Sequence, residues 1–475
     1  VIIPTLNERG NIGALIDRLF ALEALSGRME VIVADDRSED GTAEEAEARS
    51  SEDRPVRVLR REGPRDLTAS VLEAARIADG DFCVVMDADG SHPAERVPAL
   101  LEPLEDEHAD IAVGSRHVRG GEIADWPKWR HAVSRGAALL AWPFTQVRDP
   151  MSGFFATPTR RLAEIEPLQA GYKVLLELLV RSRPEPRVVE VPFRFNDRAS
   201  GESKMTARVQ WLFVGRLAAL GGARLTLGNL GRFGLVGLSG VAVDLLLFWI
   251  LRGAGVGLAT AHFASFFAAT ISNFALNSTW SFAGIFHRSD PVLPRYARFL
   301  MTALLALTVR GGVLALLTAG FGVPAGLAIL PAVAVTAGIN YLGSIFYVFP
   351  SADGVQHAEI RWRLAAIGLI GLSLGLRWLY LGQADLIFDE MYYWTYNLHP
   401  ALSYLDHPPL TAWLIAIGTA VAGDTALGVR LMTAVLALVS LLFAYRYGRA
   451  MGLAAGRSGK TQGLISAMLV AVVPA

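Results

Sequence analysis

The sequence predicts two kinds of fold in one chain: an α/β domain over residues 1–205 and all-α transmembrane domains after it. Three observations predict this. Strand-like and helix-like segments alternate through residues 1–205, and three of the strand ends carry clusters of polar residues. From about residue 230, apolar runs long enough to span a bilayer dominate. The whole chain of 475 residues is 52% hydrophobic, with a mean hydropathy of +0.36, above an ordinary soluble protein.

Composition excludes little else. The formal net charge of −1 averages a charged first part with an apolar second part, and no nucleic-acid partner is expected. The single cysteine, Cys83, rules out an intrachain disulfide and reads as a small core residue. Val1-Ile2-Ile3 already reads as a strand with no signal peptide ahead of it, and Leu464 to Ala475 reads as a membrane helix cut short. The expectation is a fragment truncated at both ends.

Strand candidates are 1–3, EVIVAD (30–35), DFCVVMD (81–87) and ADIAVGS (109–115), with apolar-periodic segments around 11–25, 67–78 and 94–106 between them. Such alternation argues for a mostly parallel sheet covered by helices, with ligands beyond the carboxyl ends of the strands. Those ends read PTLNE (4–8), DDRSEDGT (35–42) and DADGSHP (87–93).

Residues 206–228 are amphipathic, with Arg208, Arg216 and Arg224 among Trp211, Leu212, Phe213 and Leu217. They read as an element lying on the membrane surface, or as an ordinary helix closing the first domain. Apolar runs follow at about 232–252, 258–280, 299–320 and 324–349. They contain a repeat. Arg232-Phe233 is followed by Asn273-Phe274, Trp280 and Phe282, while Arg298-Phe299 is followed by Asn340-Tyr341, Tyr347 and Phe349. Two related helical hairpins are expected. Further spans are expected at about 363–382 and 428–445, and the thirteen residues 410–422 read as a surface helix too short to cross. Lys and Arg gather in alternate loops: Arg288, Arg295 and Arg298; Arg361 and Arg363; then Arg446, Arg449, Arg457 and Lys460. The loops at 253–257 and 321–323 and the segment 383–427 contain none, which places the first domain in the cytoplasm.

The chemistry concentrates at Asp87 and Asp89. Two carboxylates one residue apart at a strand end suit Mg²⁺ or Mn²⁺, hard cations that take one or two carboxylates plus water and phosphate oxygens. Such an ion neutralises a diphosphate as the bond to it breaks. Alone, the pair fits a solvated acidic loop equally well. The 35–42 segment also reads as a turn with a helix cap at Asp40-Gly41-Thr42. His92 before Pro93 reads as a turn residue rather than a ligand. Trp126 and Trp129 suit either the core or a lipid-facing surface.

Taken together, IPTLNE (3–8), ADDRSEDGT (34–42), MDADGSHP (86–93), GSRHVRGG (114–121), WPKWRHAVSR (126–135), DPMSGFF (149–155), GYKVLLE (171–177) and VPFRFNDRASGESKM (191–205) resemble glycosyltransferase family 2, in its dolichol-phosphate mannose synthase group. The resemblance implies a GT-A fold, a Rossmann-like nucleotide-sugar-binding α/β domain. It also implies inverting transfer of a sugar from a nucleotide donor (GDP-mannose or a UDP-hexose) to polyprenyl or dolichyl phosphate. It makes Pro4, Leu6, Glu8, Asp35, Asp36, Ala88, Arg198 and Lys204 nucleotide-sugar contacts, and Asp87 and Asp89 metal ligands. Arg116 meets phosphate or sugar, and Arg130 with Ser134 holds the lipid phosphate. Arg and Lys suit those tasks, as a planar fork and a point charge. The acceptor oxygen is already ionised, so positioning and charge neutralisation carry the reaction. Leu6 stands where the family often has Tyr, Arg37 where it has Gly, and Gly90 where it has Leu. Arg37 adds a cation near the nucleotide, Gly90 implies a wider pocket, and mannose as the sugar is left open.

LGRFGLVGLSGVAVDLLLFWIL (230–251) with FAATISNFALNSTWSF (267–282) resembles the GtrA-like four-helix membrane proteins, placed at 229–352. Asp244, Asn273, Arg310 and Asn340 there are either a polar path for a lipid-linked sugar or ties between helices. FDEMYYWTYNLHPALSYLDHPPLTAWL (388–414) resembles the first outer loop of GT-C glycosyltransferases of the protein mannosyltransferase and aminoarabinose transferase type, over about 360–475. That resemblance implies Asp389 as general base, with Glu390 beside it and His407 near the donor phosphate. A chance acidic pair in an aromatic interfacial loop is the other reading.

The function expected is a membrane-bound synthase of a polyprenyl-phosphate sugar, whose product the following segments move and use. A processive polysaccharide synthase would carry Q-x-x-R-W, and none of the six glutamines begins one. A lipid-sugar translocation or binding module is the remaining alternative.

Overall fold

The computed structural model describes residues 1–123, 127–165, 173–182, 186–195, 207–223, 225–286, 291–350, 358–405 and 407–472. They divide into two compact units, Val1–Leu220 and Gly221–Ala475.

Among its described residues the first unit has nine strands: β1 (Ile2–Thr5), β2 (Val31–Asp35), β3 (Val56–Arg60), β4 (Phe82–Val85), β5 (Ile111–Ser115), β6 (Glu122–Ile123), β7 (Phe155–Pro158), β8 (Val188–Pro192) and β9 (Arg194–Phe195). Seven form one sheet in the order β3-β2-β1-β4-β7-β5-β8, and β6 pairs with β9. All pairs in the large sheet are parallel except those of β7, which runs antiparallel to β4 and β5. This is the mixed α/β sheet of a GT-A domain. Its helices are α1 (Arg9–Phe20), α2 (Thr42–Glu47), α3 (Leu67–Ile77), α4 (Val97–Glu105), α5 (Lys128–Ala141), α6 (Thr159–Ala163), α7 (Val174–Arg181) and α8 (Ala207–Leu220).

Both faces of the sheet are covered, which explains the continuous apolar runs in its strands. Ile3, Val33 and Val84 point to one face and pack with Ile12, Leu15, Ile16 and Leu19, the 3.6-residue stripe of α1. Ile2, Ile32, Cys83 and Val85 point to the other face and pack with Val71 and Leu72 of α3 and Leu175 and Leu178 of α7. Fully burying one such side chain is worth about 1.5–3 kcal/mol. Cys83 is the buried core residue expected.

Three strands of the sheet escape the sequence reading. β3 is an edge strand with a polar outer face, and β7 is four residues long and reached only by a return against its neighbours. β8 is half-buried throughout, so its apolar signal is weak. The membrane-surface reading of 206–228 fails at Arg216. Its side chain is 5% exposed and pairs at 2.8 Å with Glu177, which is fully buried under the sheet. Leu217 to Leu220 are buried beside it, so this part of α8 closes the first domain. Arg224 and the side chains of Arg208, Trp211 and Leu212 lie outside the described residues.

The second unit comprises α9 (Leu227–Gly253), α10 (Leu258–Leu276), α11 (Val292–Ala315), α12 (Ala325–Gly343), α13 (Ala358–Tyr380), α14 (Phe388–Leu398), α15 (Leu410–Ala422), α16 (Ala426–Ala454) and α17 (Gly459–Val472). Among the described residues, five helical stretches are long and apolar enough to cross a membrane: Leu227–Gly253, Val292–Gly320, Ala325–Val348, Trp362–Tyr380 and Ala426–Ala454. α10, expected as a span, is not among them, because His262, Ser265, Thr270, Ser272 and Asn273 dilute its apolar content. Ser265 and Thr270 are buried against its neighbours while His262 is exposed, so only part of its polarity faces inward. α15 remains a short apolar helix.

The repeat folds as two matching hairpins. Arg232 donates to the Trp280 carbonyl and Arg298 to the Tyr347 carbonyl, the same bond made once in each half. Phe233 meets Tyr341 at 5.3 Å and Phe274 meets Phe299 at 5.7 Å, so the halves exchange equivalent contacts. Phe282 and Phe349 are equivalent in the repeat and stack on each other at 4.9 Å.

Candidate active site

The carboxyl ends of β1, β2, β4 and β5 open on one edge of the sheet, joined there by the segment that enters β7. β1 ends at Thr5, followed by Leu6, Asn7 and Glu8. Pro4, Leu6 and Glu8 are half-buried. The Asn7 amide donates to Ser38 Oγ at 2.9 Å, and Asn7 Oδ1 accepts from the Glu39 amide at 3.0 Å. The Glu8 amide donates to Thr42 Oγ1 at 2.8 Å, and its carboxylate accepts from Asn11. These bonds pin the loops after β1 and β2 together. Asp40 accepts from the amide and hydroxyl of Thr42 in the turn before α2, whose cap position is Gly41 and carries no side-chain cap bond.

Asp35 and Asp36 are both buried. Asp35 accepts from the Thr5 hydroxyl at 3.2 Å and the Ser38 amide at 3.0 Å. Asp36 turns into the domain. It pairs at 2.5 Å with Arg61, whose side chain is 2% exposed, and accepts from the Asp66 amide at 2.6 Å. Arg61 also grips Glu73. The Asp36 carboxylate is thus committed to a buried ion network, whereas the sequence reading assigns it to the nucleotide. Arg37 between these loops has φ 63°, the left-handed region that favours glycine. Gly90 has φ 76°, so its lack of a side chain serves the turn after Asp89.

β4 stops at Val85, and Asp87, Ala88 and Asp89 follow on the loop. The Asp87 side chain is 40% exposed, while Ala88 and Asp89 are buried. Asp89 Oδ1 accepts from the amide and hydroxyl of Ser91 at 3.1 and 2.6 Å. The Asp87 amide donates to Nδ1 of His92 at 3.0 Å. His92 is therefore a buried support, stacked on Phe154 at 5.1 Å, beyond the turn residue read from sequence. Burial lowers its pKa, against the pull of Asp87 and Asp89, so it stays a neutral acceptor. Gly153 leaves room beside Asp87: a Cβ there would stand 3.1 Å from Asp87 Oδ2. No cluster of three or more His, Cys, Asp or Glu placed to hold a metal occurs among the described residues. The two carboxylates, one open and one buried, fit a hard cation that completes its shell with substrate oxygens and water.

β5 ends at Ser115, and Arg116 follows. Arg116 makes two parallel bonds to Asp149, Nε–Oδ2 at 2.7 Å and Nη2–Oδ1 at 2.8 Å, and its guanidinium lies 5.3 Å from the Phe195 ring. Burial alone would raise the Asp149 pKa, but the Arg116 bonds and charge outweigh it and hold it below the usual carboxylate range. Beside this pair opens a cavity of about 410 Å³ lined by Arg116, His117, Val118, Gly121, Arg135, Ala138 and Arg148. Three arginines on one wall suit a phosphate. Ser134 lies at the same place, 3.5 Å from His117 Nε2. Arg130 is one turn before Ser134 on α5, on the same face. Trp129 is 61% exposed and Leu139 is 72% exposed, which excludes the core reading of Trp129. Trp126, Arg198 and Lys204 lie outside the described residues.

Sequence reasoning missed Lys173, His92, Arg135 and Arg148. Lys173 stands half-buried and donates to the Met151 carbonyl at 3.1 Å. Desolvation of its ammonium, with Arg116 adding, lowers its pKa to about 8 against the pull of Asp87 and Asp149. Only the GYK motif pointed to it; the basic wall has no linear signature because β5, α5 and the segment before β7 each supply a part.

In the second unit Asp389 is exposed at the start of α14. Glu390 is structural: it pairs with Arg430 at 2.6 Å and accepts from the Ile387 amide at 3.0 Å. His407 lies 5.1 Å from the Tyr393 ring, one turn after Asp389.

Residues 1–169 match the family described as Glycosyl transferase family 2. Residues 232–349 match GtrA/DPMS, transmembrane domain, and residues 406–475 match Dolichyl-phosphate-mannose-protein mannosyltransferase. The third match begins after Asp389. A dolichol-phosphate mannosyltransferase of Pyrococcus furiosus is 36% identical over 64% of this chain and 86% of its own length. An undecaprenyl-phosphate mannosyltransferase of Micrococcus luteus is 35% identical over 44% of this chain and 87% of its own length. A solved glucosyl-3-phosphoglycerate synthase from Mycobacterium tuberculosis, in complex with Mn²⁺, UDP and glucosyl-3-phosphoglycerate, is 22% identical over 46% of this chain and 75% of its own, with a TM-score of 0.35. That likeness is too slight to add anything to the strand order.

Proposed function

We propose, on the premise that this chain belongs to the dolichol-phosphate mannosyltransferase family within glycosyl transferase family 2, that it moves a mannosyl group from a nucleotide sugar to a polyprenyl phosphate. The chain is a glycosyltransferase and a multi-pass membrane protein. The observation that carries the reading is one sheet edge with the Asp87–Asp89 pair after β4 and the arginine-walled cavity after β5.

A phosphate oxygen of the acceptor forms a bond to the anomeric carbon as the bond from that carbon to the diphosphate breaks, with inversion, and the nucleoside diphosphate leaves. The acceptor oxygen is already anionic, so no side chain need take a proton. Asp87 and Asp89 would hold Mg²⁺ or Mn²⁺, which supplies positive charge against the leaving diphosphate. Glu8 and Asp35, on loops pinned to each other, line the nucleotide's side. Asp149 locks the Arg116 guanidinium in plane beside the cavity that would take a phosphate. Arg130 and Ser134 hold the acceptor phosphate beside Arg135 and Arg148, and the exposed Trp129, Leu139 and Leu140 rest on lipid. GDP-mannose is the donor, and the first domain works in the cytoplasm, as the Lys and Arg asymmetry of the loops supports. Asp389 activates an acceptor hydroxyl on the far side.

The test supplies membranes containing the full chain with labelled GDP-mannose or UDP-hexoses and polyprenyl phosphate, then extracts the lipid. Label is expected from GDP-mannose, and the paired Asp87→Asn and Asp89→Asn changes should remove it. Label from a UDP-hexose alone would overturn the mannosyl assignment. Unchanged labelling in the paired variant would overturn the metal site.

A further inference from the structure

Among its described residues, the second unit contains a buried cation that no other side chain answers. Arg295, in the first turn of α11, is 5% exposed, and its Nε and Nη1 are buried with no hydrogen-bond partner. No acidic side chain among the described residues pairs with it. Its guanidinium lies 4.3 Å from the Phe286 ring and 6.0 Å from Phe274. Ring faces attract the charge but cannot accept the in-plane N–H bonds of a guanidinium. A charge so placed calls for an anion.

More unanswered polar atoms lie around the same aromatic cluster. Asn277 Oδ1 and Ser281 Oγ sit on the π-helical turn that closes α10, just after Phe274, and Ser344 Oγ opens the matching turn after α12. All three residues are at least 98% buried, with exposures of 2%, 1% and 1%. The two turns meet at the Phe282–Phe349 stack, and Phe349 lies 5.3 Å from Phe286. Serine hydroxyls are donors that complement an arginine fork around tetrahedral oxygens, and the unmet Asn277 Oδ1 is an acceptor for a protonated phosphate oxygen. π-turns of this kind recur at functional sites.

We propose that this end of the bundle is a binding site for the phosphate headgroup of a lipid, with Arg295 as its cation and Asn277, Ser281 and Ser344 as its polar wall. A lipid source is favoured over free phosphate by the surroundings. Val292 and Leu293, one turn before Arg295, are 62% and 76% exposed at the start of a membrane span, where an apolar chain would lie. The site uses none of the residues assigned to the acceptor phosphate, Arg130 and Ser134, and it stands whether or not the sugar-transfer reading does.

The test is native mass spectrometry of the full chain in detergent with farnesyl phosphate, farnesol and inorganic phosphate as probes. The unaltered chain should bind two farnesyl phosphates, Arg295→Gln one, and Arg130→Gln one. Loss at Arg295 with no loss at Arg130 would sink the acceptor assignment and leave this site standing. Arg295→Lys keeps the charge but not the fork and should weaken that binding about tenfold. Undiminished farnesyl phosphate binding by Arg295→Gln overturns the proposal, as does equal affinity for farnesol. If Arg295→Gln does not fold, undiminished binding by Arg295→Lys overturns it. Displacement by inorganic phosphate at equal concentration overturns the lipid source.

Discussion

The Asp87 backbone amide donates to Nδ1 of His92, five residues on, at 3.0 Å, and that bond closes the loop that presents both aspartates. The imidazole is buried, neutral and stacked on Phe154, so it fixes the loop without touching substrate. His92→Phe keeps the stacking but removes the acceptor. Sugar transfer should fall about 10- to 100-fold, as for supports behind metal ligands. Mn²⁺ affinity by calorimetry should fall with it. Unchanged affinity would mean the loop is held by other bonds.

Asp36 and Arg61 make the second test. Arg61→Met leaves the buried Asp36 carboxylate without its counter-charge and should cost about 3–5 kcal/mol. Asp36→Asn leaves Arg61 paired to Glu73 and should cost less. Thermal unfolding of both variants gives the order. Loss of nucleotide binding in Asp36→Asn without loss of stability would return Asp36 to the nucleotide site.

Arg37 holds a conformation that glycine adopts freely. Arg37→Gly should stabilise the domain by about 0.5–1 kcal/mol, since relief of the left-handed backbone exceeds the extra entropy of glycine. If the Arg37 cation serves the donor, nucleotide affinity should drop while Tm rises. A lower Tm would show that the backbone is unstrained.

Lys173 gives a pH signature. Its pKa is lowered from 10.5 to about 8, so between those values the unfolded chain binds more protons than the folded one. Stability therefore rises with pH across that window. Below pH 8 both states carry the proton, and the burden of a half-buried ammonium is constant. Lys173→Met should be more stable than the unaltered chain at pH 7 by at most about 3 kcal/mol, less for its partial exposure. The gap should close towards pH 10.5, and melting temperatures at pH 7, 9 and 10 check it. A constant gap would mean that Lys173 does not titrate there.

Much of this was legible in one dimension. Apolar runs of covered parallel strands, the i, i+3, i+4 stripe of α1 and spans of bilayer length are local patterns, because burial imposes a period on neighbouring residues. The Asp87–Asp89 pair was legible because its two groups adjoin. The arginine repeat was legible too, since two hairpins of one design leave the same residues at the same spacing.

What sequence could not reveal is which side chain meets which. Arg216 belongs to a basic amphipathic pattern, yet its charge lies under the sheet with Glu177. Asp35 and Asp36 read alike, yet one stays at the sheet edge and the other turns to Arg61. β7 enters antiparallel and brings Asp149 to Arg116, a pair 33 residues apart. The sequence determined the elements and the chemical class, because those rest on periodicity and adjoining groups. The tertiary structure alone decided which charges face the cleft, because a charge must find its partner in space, whatever its distance along the chain.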